Sequence, residues 1–255
     1  MKWKFLNSGF RPGRFNMEFD EFLAHRLDDG ADIPLLRLYG WKPYAISLGY
    51  NQQMEDFDLQ KLQGEGIDIV RRPTGGRAIF HAHELTYCVV TKMNGQRPKE
   101  IYRFINEGLL AGLRLLGIEA ELSNSTDDIN QMYHDPESVN CFTSFARSEI
   151  QYREKKLAGS AQRRYNNVIL QHGSILLGPQ HKRIIEFLSP RMGESIVYLR
   201  EKLDRRTIEA ESILGRTVSY DEAADCIKRG FEQCHNISFN DDHVMHHHDQ
   251  LMIMN

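Results

Sequence analysis

The chain has 255 residues, 41% hydrophobic and 26% charged, the makeup of an ordinary soluble globular protein. Its formal net charge of −3 argues against general nucleic-acid binding, which leaves a strongly basic signature. No run approaches the roughly 18 apolar residues of a membrane span, and the opening MKWKFLNSGF lacks the apolar core of a secretory signal.

Residues 16–28, NMEFDEFLAHRLD, place Phe19, Phe22, Leu23 and Leu27 on one helical stripe. IPLLRLYGWKPYAISLGYNQ reads as two strands broken at Gly40-Trp41-Lys42-Pro43, and GIDIVRR (66–72) as a third. That strand runs into VRRPTGGRAIFH (70–81), after which ELTYCVVTK (84–92) alternates as a strand does. Residues 98–117 predict a long helix with Pro98 at its start, Gly117 at its stop, and Ile101, Ile105, Leu109 and Leu116 on its buried face. SNSTDDINQMYHDPESVN (123–140) is polar and aperiodic, hence an exposed loop. SEIQYREKKLAGSAQRR and NVILQHGSILLG read as strands around the turn YNN. From about residue 185 the chain becomes helical and charge-rich, and Ser219 followed by Glu222 is a capping-box signature. The expectation is an α+β fold: one domain over 1–255, a mixed β-sheet core flanked by helices, with a C-terminal helical segment (about 185–255) packed on it.

Three stretches offer chemistry. The corner Arg71-Arg72-Pro73-Thr74-Gly75-Gly76-Arg77 can be a turn alone, because glycine tolerates positive φ. It also concentrates positive charge and strips side chains where a ligand could meet the backbone. His81 and His83 lie two apart, so on a strand they would share a face. With Glu84 or His172 they would make a zinc site, but no second His or acidic pair stands at a motif spacing, and no metal is expected. His246-His247-His248 reads as a solvated tail. In the second stretch Lys156 is followed by the small residues Ala158, Gly159, Ser160 and Ala161, a surface another segment can approach closely. A lysine there can hold a carbonyl or phosphate oxygen, although most lysines on strands are solvated. The third is Cys141. The four cysteines show no C-x-x-C spacing and are expected as free thiols in a reducing, cytoplasmic compartment. Cys88, Cys226 and Cys234 read as small core residues. Cys141 instead closes the polar loop, and an exposed thiol near Lys156 and Arg147 would be a competent nucleophile.

RRPTGGRAIFHAHELTYCV, KKLAGSAQRR and ILQHGSILL, in that order, resemble the biotin/lipoate protein ligase and transferase family, and LRLYGWKPYAISLGYNQ resembles its early strands. The resemblance covers roughly 33–180. It implies the class II biotin/lipoyl-transferase fold, with a substrate tunnel lined by the Gly-Gly loop and the motif lysine. Its implied substrate-binding positions are Arg72, Thr74, Gly75, Gly76, His81, Gly159, Ser160, Ala161, His172 and Gly173, with Cys141 and Lys156 catalytic. The Gly-Arg-Gly loop of biotin ligases is absent, which disfavours biotin. Three activities stay open. Lipoate ligases use ATP and Mg to make an acyl-adenylate; octanoyltransferases take the acyl group from acyl carrier protein through a cysteine thioester, with no cofactor; amidotransferases move it between lipoyl domains through a cysteine. A non-catalytic acyl-binding relative is a fourth alternative. The pair Cys141-Phe142 ahead of Lys156 resembles the cysteine-dependent branches, whereas RSEI (147–150) is similar to an Arg-Asn-Asp-hydrophobic pattern of ligases. The implied partners are octanoyl acyl carrier protein and lipoyl carrier domains (glycine cleavage H protein, E2 subunits), with no nucleic acid and no membrane. The basic run Arg147, Arg153, Lys155, Lys156, Arg163 and Arg164 would suit their acidic surfaces.

Overall fold

The structure, a computed structural model, describes residues 1–30, 33–123, 149–192 and 195–241. The exposed-loop expectation for 123–140, Cys141, Arg147 and the histidine tail lie outside the described residues, Ser123 excepted.

The large sheet begins with β1 (Lys2–Arg11) and β2 (Leu35–Trp41), joined by α1 (Gly13–Asp28) as a parallel crossover. Helix α1 starts directly after Pro12, whose fixed φ of −60° and extended ψ close the strand. A smaller sheet holds β3 (Ala45–Leu48), β4 (Asp68–Arg71) and β5 (Ile79–His81) in the order β4-β3-β5, with the short helix α2 (Leu59–Gly64) leading into β4. The chain returns to the large sheet with β6 (Glu84–Lys92), crosses in α3 (Pro98–Leu115), and continues through β7 (Glu121–Leu122), β8 (Ile150–Tyr152), β9 (Lys155–Tyr165) and β10 (Val168–Leu176). A 3-10 segment (Pro179–Phe187), α4 (Ser195–Arg206), α5 (Ala210–Leu214), α6 (Tyr220–His235) and β11 (Ser238–Asp241) complete the order. The sheet runs β11-β1-β2-β6-β10-β9-β8-β7, parallel around β1 and antiparallel from β2 onward.

Strands β6 and β10 are buried along most of their length, since the sheet is covered on both faces. One face carries α3 and α6: Ile101, Ile105, Leu109 and Leu113 pack on Leu85, Tyr87, Val89, Ile169 and Ile175. Each such side chain contributes roughly 1.5–3 kcal/mol of burial. The C-terminal helix α6 is drawn tightly onto α3, because a Cβ on Gly230 would lie 2.2 Å from the Gly112 nitrogen. The Ser219 cap is in place, its side chain accepting from the Glu222 amide at 3.1 Å. The other face carries α1, with Phe19, Leu23 and Leu27 on Cys88, Val90 and Leu170. No helix among the described residues is long and apolar enough to cross a membrane.

Several expectations change. Residues 2–11 form a full strand that carries little regular alternation in the sequence. Strand β4 begins at Asp68 and the corner leaves it after Arg71. Cys234 is exposed on α6 rather than a core residue, while Cys88 and Cys226 are buried.

Candidate active site

The expected residues gather where β9 and β10 meet the corner that follows β4. Adjacent strands pair Ser160 with Gly173 and Ala161 with His172. Gly173 is required there, because an added Cβ would sit 2.3 Å from the Gly159 carbonyl oxygen and 2.8 Å from the Tyr87 ring. Tyr87, pressed onto that glycine, shares a 2.6 Å hydrogen bond with Ser160 and accepts one from Gln171 Nε2 at 2.8 Å.

The corner itself is built by contact. Gly76 has φ +91°, and a Cβ on Gly49, at the end of β3, would fall 1.8 Å from the Gly76 carbonyl oxygen. Two backbone segments therefore touch, and only glycine at position 49 allows it. A Cβ at Gly75 would meet nothing within 4 Å, so this residue borders open space. Of the three corner arginines Arg72 is buried, Arg77 is half-buried and Arg71 is exposed. Arg72 is buried and donates to the carbonyls of Ser47, Gly75 and Arg77. Arg71 donates from one nitrogen to the carbonyls of Gly49, Tyr50 and Gln52. Arg163, reaching from β9, donates to the Pro73 carbonyl at 2.9 Å. The positive charge thus clamps two loops onto the strands.

Thr74 sits under the corner and shares a 2.7 Å hydrogen bond with His172 Nε2; His172 Nδ1 lies 3.1 Å from Asp20 Oδ2. Asp20 also receives Arg37 at 2.6 Å and the Tyr39 hydroxyl at 2.8 Å. Burial alone would raise the Asp20 carboxyl, but Arg37 and then His172 reverse this and hold it below the ordinary carboxylate range. His81 heads a second buried group, with Nε2 on the Ser47 hydroxyl and Nδ1 on Glu84 Oε1, each at 2.7 Å. Burial pushes its pKa down against the pull of Glu84. Both ring nitrogens are engaged, and its ring stacks on Trp41 at 3.9 Å between centroids.

The zinc alternative meets a geometric obstacle. The chain bends between β5 and β6, and His83 turns away to the Val218 carbonyl. Among the described residues no group of three or more His, Cys, Asp or Glu side chains is placed to hold a metal.

Lys156 is not a solvated lysine. It is fully buried, and its ammonium lies 2.6 Å from Glu149 Oε1, whose side chain is 3% exposed. Its carbonyl accepts from the Ile208 amide at 3.1 Å, which brings the C-terminal segment against the site. The basic run is dispersed accordingly: Lys156 is inside, Arg163 holds the corner, and Arg153 forms the exposed turn between β8 and β9 at φ +48°. Cys141 lies outside the described residues. None of the three described cysteines is an activated thiol. Burial pushes Cys88 well above the ordinary value and also raises Cys226 and Cys234.

The family model of the lipoyl protein ligase A/B catalytic domain matches residues 12–232. The chain belongs to this family. An octanoyltransferase LipM of Geobacillus kaustophilus is 37% identical over 244 residues, 92% of this chain and 87% of that one. The octanoyltransferase LipM of Symbiobacterium thermophilum is 40% identical over 232 residues, covering 90% and 85%. Among solved structures, a lipoate-protein ligase A bound with ATP superposes with a TM-score of 0.75 at 25% identity, covering 95% of this chain and 89% of that one. A lipoate-ligase-like protein of T. acidophilum with bound lipoic acid gives 0.72 at 25%, with the same coverage. The mixed sheet flanked by helices is thus the fold of the lipoyl protein ligase family.

Sequence reading alone did not single out Asp20, Arg37, Ser47 or Glu149 as site residues. Two carried a signal. Asn16 and Asp20 interrupt the apolar stripe of α1, and Arg37 interrupts a strand in which every residue is buried. A polar group at such a position needs a buried partner.

Proposed function

We propose that the protein is an octanoyltransferase of lipoate biosynthesis that carries the acyl group as a thioester on Cys141. In the first step the Cys141 thiolate attacks the octanoyl thioester on the arm of acyl carrier protein and releases the carrier thiol. In the second, the ε-amine of a lysine on a lipoyl carrier domain, such as glycine cleavage H protein or an E2 subunit, attacks the Cys141 thioester. An amide forms and the cysteine is regenerated, so the difficult exchange is divided into two easier ones. Lys156 holds the carbonyl oxygen as it becomes an oxyanion, helped by backbone N–H groups of Gly75 and Gly76. Donors of this kind are typically worth roughly 3–4 kcal/mol each.

The observation that carries this reading is the buried Lys156–Glu149 pair on the strand of small residues. A neutral acyl carbonyl fits beside such a pair, whereas a nucleotide phosphate would bring a further negative charge against Glu149. The raised thiols of Cys88, Cys226 and Cys234 are poor nucleophiles, which supports assigning that part to Cys141. A cytoplasmic location, where free thiols persist, fits this chemistry. The similarity to an ATP-bound lipoate-protein ligase A favours a second reading, ATP- and Mg-dependent ligation.

Mass spectrometry separates the two. Octanoyl carrier protein without ATP should add an octanoyl mass that hydroxylamine removes and that Cys141→Ala does not acquire. A protein that needs ATP and free acid, and still works as Cys141→Ala, is the ligase.

A further inference from the structure

The glycine corner keeps its carbonyls inside. The Pro73 carbonyl accepts from Arg163, the Thr74 carbonyl from the Tyr50 amide at 3.0 Å, and the Gly75 and Arg77 carbonyls from Arg72 at 2.8 and 2.7 Å. A trans peptide points its C=O and its N–H in opposite directions, and the bond between Gly75 and Gly76 is trans. The Gly76 N–H therefore points away from the buried guanidinium that holds the Gly75 oxygen. By the same rule the Gly75 N–H points away from the Tyr50 amide. Among the described residues nothing accepts from either amide. Gly75 is exposed and Gly76 half-buried, so two successive donors are left on the open side of the corner. Such a pair suits an oxygen that bears negative charge.

A glycine turn does not need a buried cation beneath it. Arg72 is 4% exposed, and a guanidinium taken out of water is costly unless its donors are used. Here the fork is used in full. Nε and Nη2 both reach the Gly75 oxygen, at 3.2 and 2.8 Å, and Nη2 also reaches the Arg77 oxygen. Nη1 donates to the Ser47 carbonyl and hydroxyl at 3.0 and 3.1 Å, and that hydroxyl shares a 2.7 Å hydrogen bond with His81 Nε2. A planar guanidinium can serve these directions at once, whereas a lysine ammonium is a point charge. The cation also polarises the peptide it grips, because linked hydrogen bonds strengthen one another, and the Gly76 N–H becomes a better donor.

The family resemblance implies that Arg72 binds substrate, but every contact above is made to the protein. We propose that Arg72 is a positioning residue: it turns and polarises the Gly75–Gly76 peptide so that the Gly76 N–H receives the charged oxygen of the reacting group. This rests on the acyl-transfer reading above, in which that oxygen is the acyl carbonyl oxygen as it becomes an oxyanion.

The test is Arg72→Lys, which keeps the charge and loses the fork. In single-turnover acylation by octanoyl carrier protein it should lower the limiting rate by about 100-fold and leave the half-saturating carrier concentration within about threefold. In NMR of the substrate-free protein the Gly75 and Gly76 amide signals should move, while those of β6 and the far end of β10 stay in place. A side chain that touched bound substrate would raise the half-saturating concentration and spare the limiting rate. That result, an unchanged limiting rate, or unmoved glycine signals overturns the proposal. If Arg72→Lys does not fold, Ser47→Ala decides, since it removes one acceptor of the guanidinium outside the corner. A limiting rate lowered about fivefold supports the proposal, and an unchanged one overturns it. If the wild type forms no acyl-enzyme, the thioester reading fails instead. The same comparison is then made for adenylate formation from ATP and free acid, where an unchanged limiting rate overturns the role of Arg72 and a lowered one at unchanged half-saturation supports it.

Discussion

Glu149→Gln is the most informative perturbation of the site. In the wild type the Lys156 ammonium and Glu149 carboxylate are 2.6 Å apart, with side chains 0% and 3% exposed. At an effective dielectric of about 20, two charges at that separation attract by roughly 6 kcal/mol, which is a ceiling because each charge also loses water on burial. Removing one partner from a buried pair typically costs about 3–5 kcal/mol, since the other charge is left uncompensated. For a chain of this size that corresponds to a fall in Tm of roughly 6–20 °C. Lys156→Met should cost a similar amount, and the double variant should be more stable than either single one, because neither orphaned charge remains. Denaturant unfolding of all four proteins at pH 7 gives the coupling directly. A Glu149→Gln variant within about 0.5 kcal/mol of wild type, or strictly additive costs in the double variant, would refute the claim that these groups are mutually dependent.

Two further outcomes follow from single contacts. Gly173→Ala should destabilise the protein by about 1–3 kcal/mol and reduce acyl transfer, because its Cβ forces β9 and β10 apart at the Gly159 carbonyl; a melting temperature and rate equal to wild type would sink the argument. His181 is buried against Thr207, and burial lowers its pKa from 6.5 to about 4 in spite of Glu209. A lowered histidine contributes stability that is complete above its unfolded pKa and is lost as pH falls toward the folded one. Roughly 3 kcal/mol should therefore disappear between pH 6.5 and 4, and His181→Gln should flatten that part of the stability profile measured by denaturant melts.

The parts of the fold legible in the sequence are those whose periodicity is local. Strand β6 spans Glu84–Lys92 as its alternation predicts, and Ile101, Ile105 and Leu109 of α3, with Leu116 at its C-cap, are buried as the spacing predicts. Strand β1 was hidden because its burial follows no clean alternation, and one of its parallel partners, β11, lies at the far end of the described chain. The site divides in the same way. The corner, Lys156 and the His172-Gly173 pair stand out as short motifs. Asp20, Arg37 and Glu149 act on them from separate elements, through hydrogen bonds that no spacing along the chain encodes.

The C-terminal segment reaches the candidate site through Lys156. Glu149, ahead of β8, holds the ammonium; Gln151 of β8 is its register partner; and the Ile208 amide, between α4 and α5, holds its carbonyl. Thr207, beside Ile208, is fixed in turn by His181 and by the Leu203 carbonyl. Lys156 is held at both ends by three segments, so on the proposed reading the acyl group is brought to the ammonium and not the reverse. If Lys156 holds the oxyanion as proposed, its position is set before substrate arrives, as electrostatic stabilisation of a developing charge requires. Loosening any one of the three segments should therefore lower the rate of acyl transfer before it weakens acyl binding.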